Sequence, residues 1–139
     1  MMLCKRTSGA FTLVEVLIVV IILGILAAVV VPQFSDAGSD ARLSALETNL
    51  QTVRSQLQLY KMQHNDTWPT LADFTAQMTA GTKADGTPGT VYGPYLLSIP
   101  NNPFTDTNTV TQGADDTSAW YYDQSTGEFR ANDSAHKAL

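Results

Sequence analysis

One carboxylate stands where carboxylates are rare. Glu15 lies inside the run Phe11–Val31, 21 residues in which only it and Thr12 are polar. A carboxylate held in apolar surroundings needs a cation to neutralise it, so its position poses a question of partnership. The other residues with chemical potential are few. His64 falls at the end of a helical pattern and His136 in a polar tail, and both are expected to be solvated. The single cysteine, Cys4, precedes the apolar run, so no intramolecular disulfide can form and the chain must fold on packing alone. No Gly-rich phosphate loop, Cys/His metal spacing or Gly-x-Ser-x-Gly elbow occurs, and a non-enzyme is expected. The 8 basic residues stand against 13 acidic ones, for a net charge of −5. Lys5 and Arg6 come before the run and the other basic residues are scattered singly, so no phosphate-binding face exists and nucleic acid is excluded as a partner.

The elements that must position Glu15 follow from the pattern around it. At 139 residues the chain has room for one ordinary domain, and its 15% of charged residues falls below the roughly 25% of a typical globular surface. The deficit lies in the run. Read as a helix at about 1.5 Å per residue, Phe11–Val31 is about 31 Å long and matches a bilayer core. Its Leu, Ile, Val and Phe residues favour insertion by roughly 5–10 kcal/mol, against a cost on the order of 3 kcal/mol for the acid. A removed secretory signal would have an apolar region of only about 7–15 residues, and here a helical pattern continues past Pro32. Lys5 and Arg6 place the N-terminus in the cytoplasm. Glu15, one turn from that end, can snorkel to the headgroups or await a cation from another subunit.

Lys5-Arg6-Thr-Ser-Gly-Ala10, then Phe11-Thr-Leu-Val-Glu15 and an unbroken Val/Ile/Leu stretch, resembles the class III signal sequence of type IV pilins and type II secretion pseudopilins. The resemblance implies that a prepilin peptidase cuts between Ala10 and Phe11 and methylates the Phe11 amine. A glycine usually precedes the cut in this family. Here Gly9 is followed by Ala10, and a cut after Ala10 keeps Glu15 in the family's register. Residues 1–10 are then a discarded leader and 11–31 the transmembrane and filament-core helix. Glu15 would pair with the N-terminal amine of a neighbouring subunit in a helical filament, although the amine of its own chain is also within a turn. Gly24 and Pro32 align with helix-weakening positions of the family, which predicts either local unwinding between them or a kink at Pro32.

Beyond Pro32 the residues Leu43, Leu46, Leu50, Val53, Leu57 and Tyr60 recur at spacings of three and four, one stripe on a continuing helix that reaches about His64. Arg42, Glu47, Gln51, Arg54 and Lys61 fall off the stripe and read as solvated face. Thr70-Leu-Ala-Asp73 opens a short second helix through about Thr79. Residues Ala80–Thr90 form a Gly/Pro-rich loop, Tyr92–Pro100 an extended edge strand, and Asn101–Ser118 a polar loop. Trp120–Asp123 and Glu128–Ala131, joined by a turn ending at Gly127, make a hairpin, and Asn132–Leu139 a frayed end. The expected fold is α+β, with the outer half of a long helix laid on a small antiparallel sheet within residues 32–139. The layout resembles the pilin fold, and more loosely that of major pseudopilins. The latter resemblance implies a calcium loop near the C-terminal sheet, for which Asp106, Asp115 and Asp116 are the candidate ligands; a solvated acidic loop is the alternative. No other cofactor is expected.

Together these features predict a structural subunit of a type II secretion pseudopilus. A type IV pilin, or a membrane-anchored binding domain that does not polymerise, are the alternatives. The implied partners are prepilin peptidase, further copies of the chain, an inner-membrane assembly platform and minor pseudopilins. The implied location is the bacterial inner membrane, crossed once, with the C-terminal domain in the periplasm and the filament there or at the cell surface.

Overall fold

The structure, a computed structural model, describes the backbone of residues 11–139 and the side chains of 11–29 and 38–139. The expected leader, with Ala10 and Cys4, lies outside the described residues. Two compact units divide the chain, residues 1–40 and 41–139. Helix α1, Leu13–Gln63, contributes to both and is followed by α2, Phe74–Thr79.

In the second unit the stripe read from the sequence becomes the core. Leu46, Leu50, Val53, Leu57 and Tyr60 of α1 are buried together with Phe74 and Met78 of α2 and with Trp120, Tyr122 and Phe129 of the sheet. Each large apolar side chain taken from water in this way contributes about 1.5–3 kcal/mol. The hairpin forms where expected, with strands β2 (Trp120–Asp123) and β3 (Glu128–Ala131) antiparallel in the register Trp120 opposite Ala131 and Tyr122 opposite Phe129. Alternation sends Trp120, Tyr122, Phe129 and Ala131 inward, while on the other face the Arg130 guanidinium lies 4.0 Å over the Tyr121 ring.

Two expectations about the sheet need correction. The sheet is mixed, because β1 (Val110–Thr111) pairs in parallel with β2 from inside the stretch expected to be a polar loop. The β-branched run Thr109-Val110-Thr111 is folded back so that Thr109 accepts from Trp120 N through its carbonyl and from Ala119 N through its hydroxyl. Conversely, Tyr92–Pro100 is no strand, and only Tyr92 makes an isolated bridge, to Thr82. The segment's donors go elsewhere: the amides of Tyr95 and Leu96 both bond to the Met78 carbonyl at the end of α2. Pro94 and Pro100 have no amide proton to offer a ladder.

The short α2 begins at Phe74, later than the expected opening at Thr70: residues 71–73 form a turn, across which the Thr70 hydroxyl donates to the Asp73 carboxylate and accepts from the Asp73 amide. Arg54, read as solvated, reaches from α1 to the sheet, its Nε donating to the Phe129 carbonyl at 2.9 Å. The C-terminal segment is not frayed, since Asn132 is fully buried and its amide bonds to the Ala119 carbonyl.

Candidate functional site

Thr12 and Glu15 form a reciprocal cap at the start of α1. The Thr12 amide and hydroxyl each donate to Glu15 Oε2 at 2.9 Å, and the Glu15 amide donates to Thr12 Oγ1 at 3.2 Å. This is a capping box, in which two residues three apart satisfy amide groups that lack helical acceptors. The arrangement spends one carboxylate oxygen on local bonds. Among the described residues no cation pairs with Glu15. Around it the apolar side chains from Phe11 to Val29 are exposed, with Phe11 at 85%. That exposed surface far exceeds what a soluble monomer leaves uncovered.

The backbone of α1 is helical throughout, Gly24 and Pro32 included, in the single chain. Gly24 has open space where a side chain would project. The expected span ends among residues whose side chains are not described. Among the described residues no helix is long and apolar enough to cross a membrane.

The three acidic candidates are not gathered into a cation site. Asp115 is occupied by two cations, with Arg130 Nη1 at 3.3 Å from Oδ1 and Lys137 Nζ at 2.6 Å from Oδ2. The Lys137 ammonium, with Arg130, holds the Asp115 carboxyl below its ordinary range. Asp116 Oδ1 accepts from the Ser134 amide, and Asp106 sits in a separate turn where its own amide donates to the Asn102 carbonyl. Among the described residues no group of three or more His, Cys, Asp or Glu could hold a metal ion. Asp106, Asp115 and Asp116 thus do not converge on one point among the described residues.

Sequence reasoning missed both histidines. His64 is only 2% exposed and His136 is half-buried, stacked on Phe104 with ring centroids 3.9 Å apart. For His64 the signal was present, because position 64 continues the spacing of the stripe through Leu57 and Tyr60. A cleft of about 370 Å³ also lies between α2 and residues 80–88, lined by Asp73, Ala76, Gln77, Asp85 and Pro88. Gln77 holds its wall, accepting from the Thr70 amide and donating to the Gly86 carbonyl.

Residues 5–31 match the family described as the prokaryotic N-terminal methylation motif. The chain is 30% identical over 100 residues to the type II secretion system core protein G of Aeromonas hydrophila, covering 72% of this chain and 70% of that one. To the protein of the same name from Pseudomonas aeruginosa it is 38% identical over 58 residues, 42% of this chain and 41% of that one. The Klebsiella michiganensis protein of that name is 28% identical over 103 residues, covering 72% of this chain and 70% of its own. The matched part is thus under half of the Pseudomonas relative's length. No solved structure matches the chain.

Proposed function

Since the chain belongs to the family of the type II secretion system core protein G, the pseudopilins, we propose that it is cut between Ala10 and Phe11, methylated on Phe11 and polymerised through its N-terminal helix. It then forms the pseudopilus that drives protein export. The role is structural rather than enzymatic. The observation that carries this reading is Glu15, an acidic group in an exposed apolar helix with no cation beside it among the described residues.

Leader removal would create the missing charge, an α-amine at Phe11 that methylation leaves positive. A buried carboxylate is tolerable when paired and hydrogen-bonded, and costly when alone. Before assembly Thr12 supplies neutral hydrogen bonds to Glu15. In the filament the amine of a neighbouring copy would supply the charge, while the apolar flanks of the helices cover one another. Contacts that join unlike surfaces of successive copies do not close on themselves and so generate helical filaments. Before that step, residues 11–31 hold the subunit in the inner membrane with the C-terminal domain in the periplasm, and removing Lys5 and Arg6 leaves a more acidic mature chain. The partners of this pathway are prepilin peptidase, the assembly platform, minor pseudopilins and other copies of the chain.

Substituting Glu15→Ala tests the reading. Membrane insertion is expected to persist while incorporation into filaments is lost; unchanged filament yield would favour a tether that does not polymerise. Intact mass checks the processing, with a chain beginning at methylated Phe11 expected. A purified mature chain beginning at Ala10 or Met1 would overturn the assigned cut.

A further inference from the structure

The loop between β1 and β2, residues 112–119, carries two adjacent carboxylates and lies against the segment that leaves β3. A calcium ion seated there would need six to eight oxygens converging at about 2.3–2.6 Å. The loop does turn oxygens toward a common point, but a nitrogen occupies it. Asn132 Nδ2 donates to the Ala114 carbonyl at 3.0 Å, to Ser118 Oγ at 2.8 Å and to Thr117 Oγ1 at 3.4 Å. Asn132 is fully buried and its Oδ1 has no partner among the described residues. The three acceptors therefore set the orientation of the amide: turned over, its oxygen would face the Ala114 carbonyl oxygen.

The charged side of the loop is occupied as well. Arg130 and Lys137 bring two positive charges to Asp115, the charge a calcium ion would bring, although Arg130 also reaches Glu128 Oε1 at 3.3 Å. The Asp116 amide donates to the Asn132 carbonyl while its carboxylate accepts from the Ser134 amide. The remaining nearby carboxylate, Asp133, is paired with His136.

The geometry points to a loop pinned by the chain's own nitrogens: Asn132 Nδ2, Arg130 and Lys137 stand where a divalent cation would otherwise bridge the loop's oxygens, so this domain folds without calcium. Asn132 supplies the short-range donor inside the loop. Lys137 and Arg130 supply the charge outside it. Both contributions come from residues within the second strand of the hairpin or just after it, so the loop is tied to β3 by side chains rather than by a ligand. The inference is independent of how the subunit assembles, since it concerns the folding of residues 41–139 alone.

Thermal unfolding of the purified full-length protein in detergent, in millimolar calcium and in chelator, tests it. The wild-type midpoint is expected to be the same in both. Lys137→Met is expected to lower the midpoint by roughly 2–5 °C in both conditions, the scale of one ion pair in a domain of this size. Asn132→Asp, which sets a carboxylate against the Ala114 carbonyl, is expected to lower it further. In both variants the amides of residues 113–118 are expected to exchange faster with solvent. A saturable rise in the wild-type midpoint with calcium would overturn the inference. So would Lys137→Met that leaves both the midpoint and the loop's exchange at wild-type values.

Discussion

His64 stacks face to face on Tyr60, with ring centroids 3.7 Å apart and planes within 2° of parallel. The pair closes the last turn of α1, where carbonyls run out of helical donors. His64 Nδ1 lies 2.8 Å from the Tyr60 carbonyl, which can only accept, so Nδ1 carries the proton. Nε2 then accepts from the Thr82 hydroxyl at 2.9 Å. One imidazole thus caps the helix and ties it to the loop that lines the cleft beside α2.

Replacing that ring by an apolar one of similar bulk, His64→Leu, keeps much of the packing and removes both hydrogen bonds. It leaves the Tyr60 carbonyl and the buried Thr82 hydroxyl without their partner. A loss of about 1–3 kcal/mol is expected in urea unfolding, the usual cost of stranding buried polar groups. A midpoint equal to wild type would show that the ring contributes through bulk alone.

Burial, with a smaller contribution from Tyr95, pushes the Tyr60 hydroxyl up to about 12, and burial also raises Tyr95 and Tyr122. In the unfolded chain tyrosine ionises near about pH 10. The folded state therefore holds these protons more tightly, and the stability linked to them is complete below about pH 10 and falls as pH rises through about 12. Denaturation midpoints measured from pH 8 upward should decline over that window. Tyr60→Phe should make the decline shallower; a midpoint level up to pH 12 would contradict the assignment.

Gly127 ends the hairpin turn with φ of +76°, and the Trp68 ring lies directly where its side chain would project. Gly127→Ala must therefore adopt a left-handed backbone and displace an indole over which the Lys61 ammonium sits at 4.6 Å. The two effects together are expected to cost about 2–4 kcal/mol. Thermal unfolding measures the loss, and a rise in Trp68 exposure by fluorescence would locate it.

The hairpin and the stripe were legible because each depends on neighbours close in sequence. The hairpin needs only alternation on either side of a four-residue turn, and its strand ends fell as read. The stripe from Leu46 to Tyr60 needs only helical spacing, and it extends to His64 for the same reason. The cap between Thr12 and Glu15 is equally local, a threonine three residues before an acid.

What stayed hidden depends on distance along the chain. Nothing near Val110 signals that it pairs in parallel with Trp120, because that pairing is decided by where residues 101–109 carry the chain. Lys137 and Asp115 lie 22 residues apart, and their contact sets an ammonium group on the loop's carboxylate. By itself the sequence determined the apolar helix with its lone carboxylate, the amphipathic stripe and the hairpin, since periodicity and local hydrogen bonding need no tertiary contact. Only the tertiary structure decided which nitrogens meet the loop's oxygens, because side chains far apart in sequence come together only once the core has closed around Trp120 and Phe129.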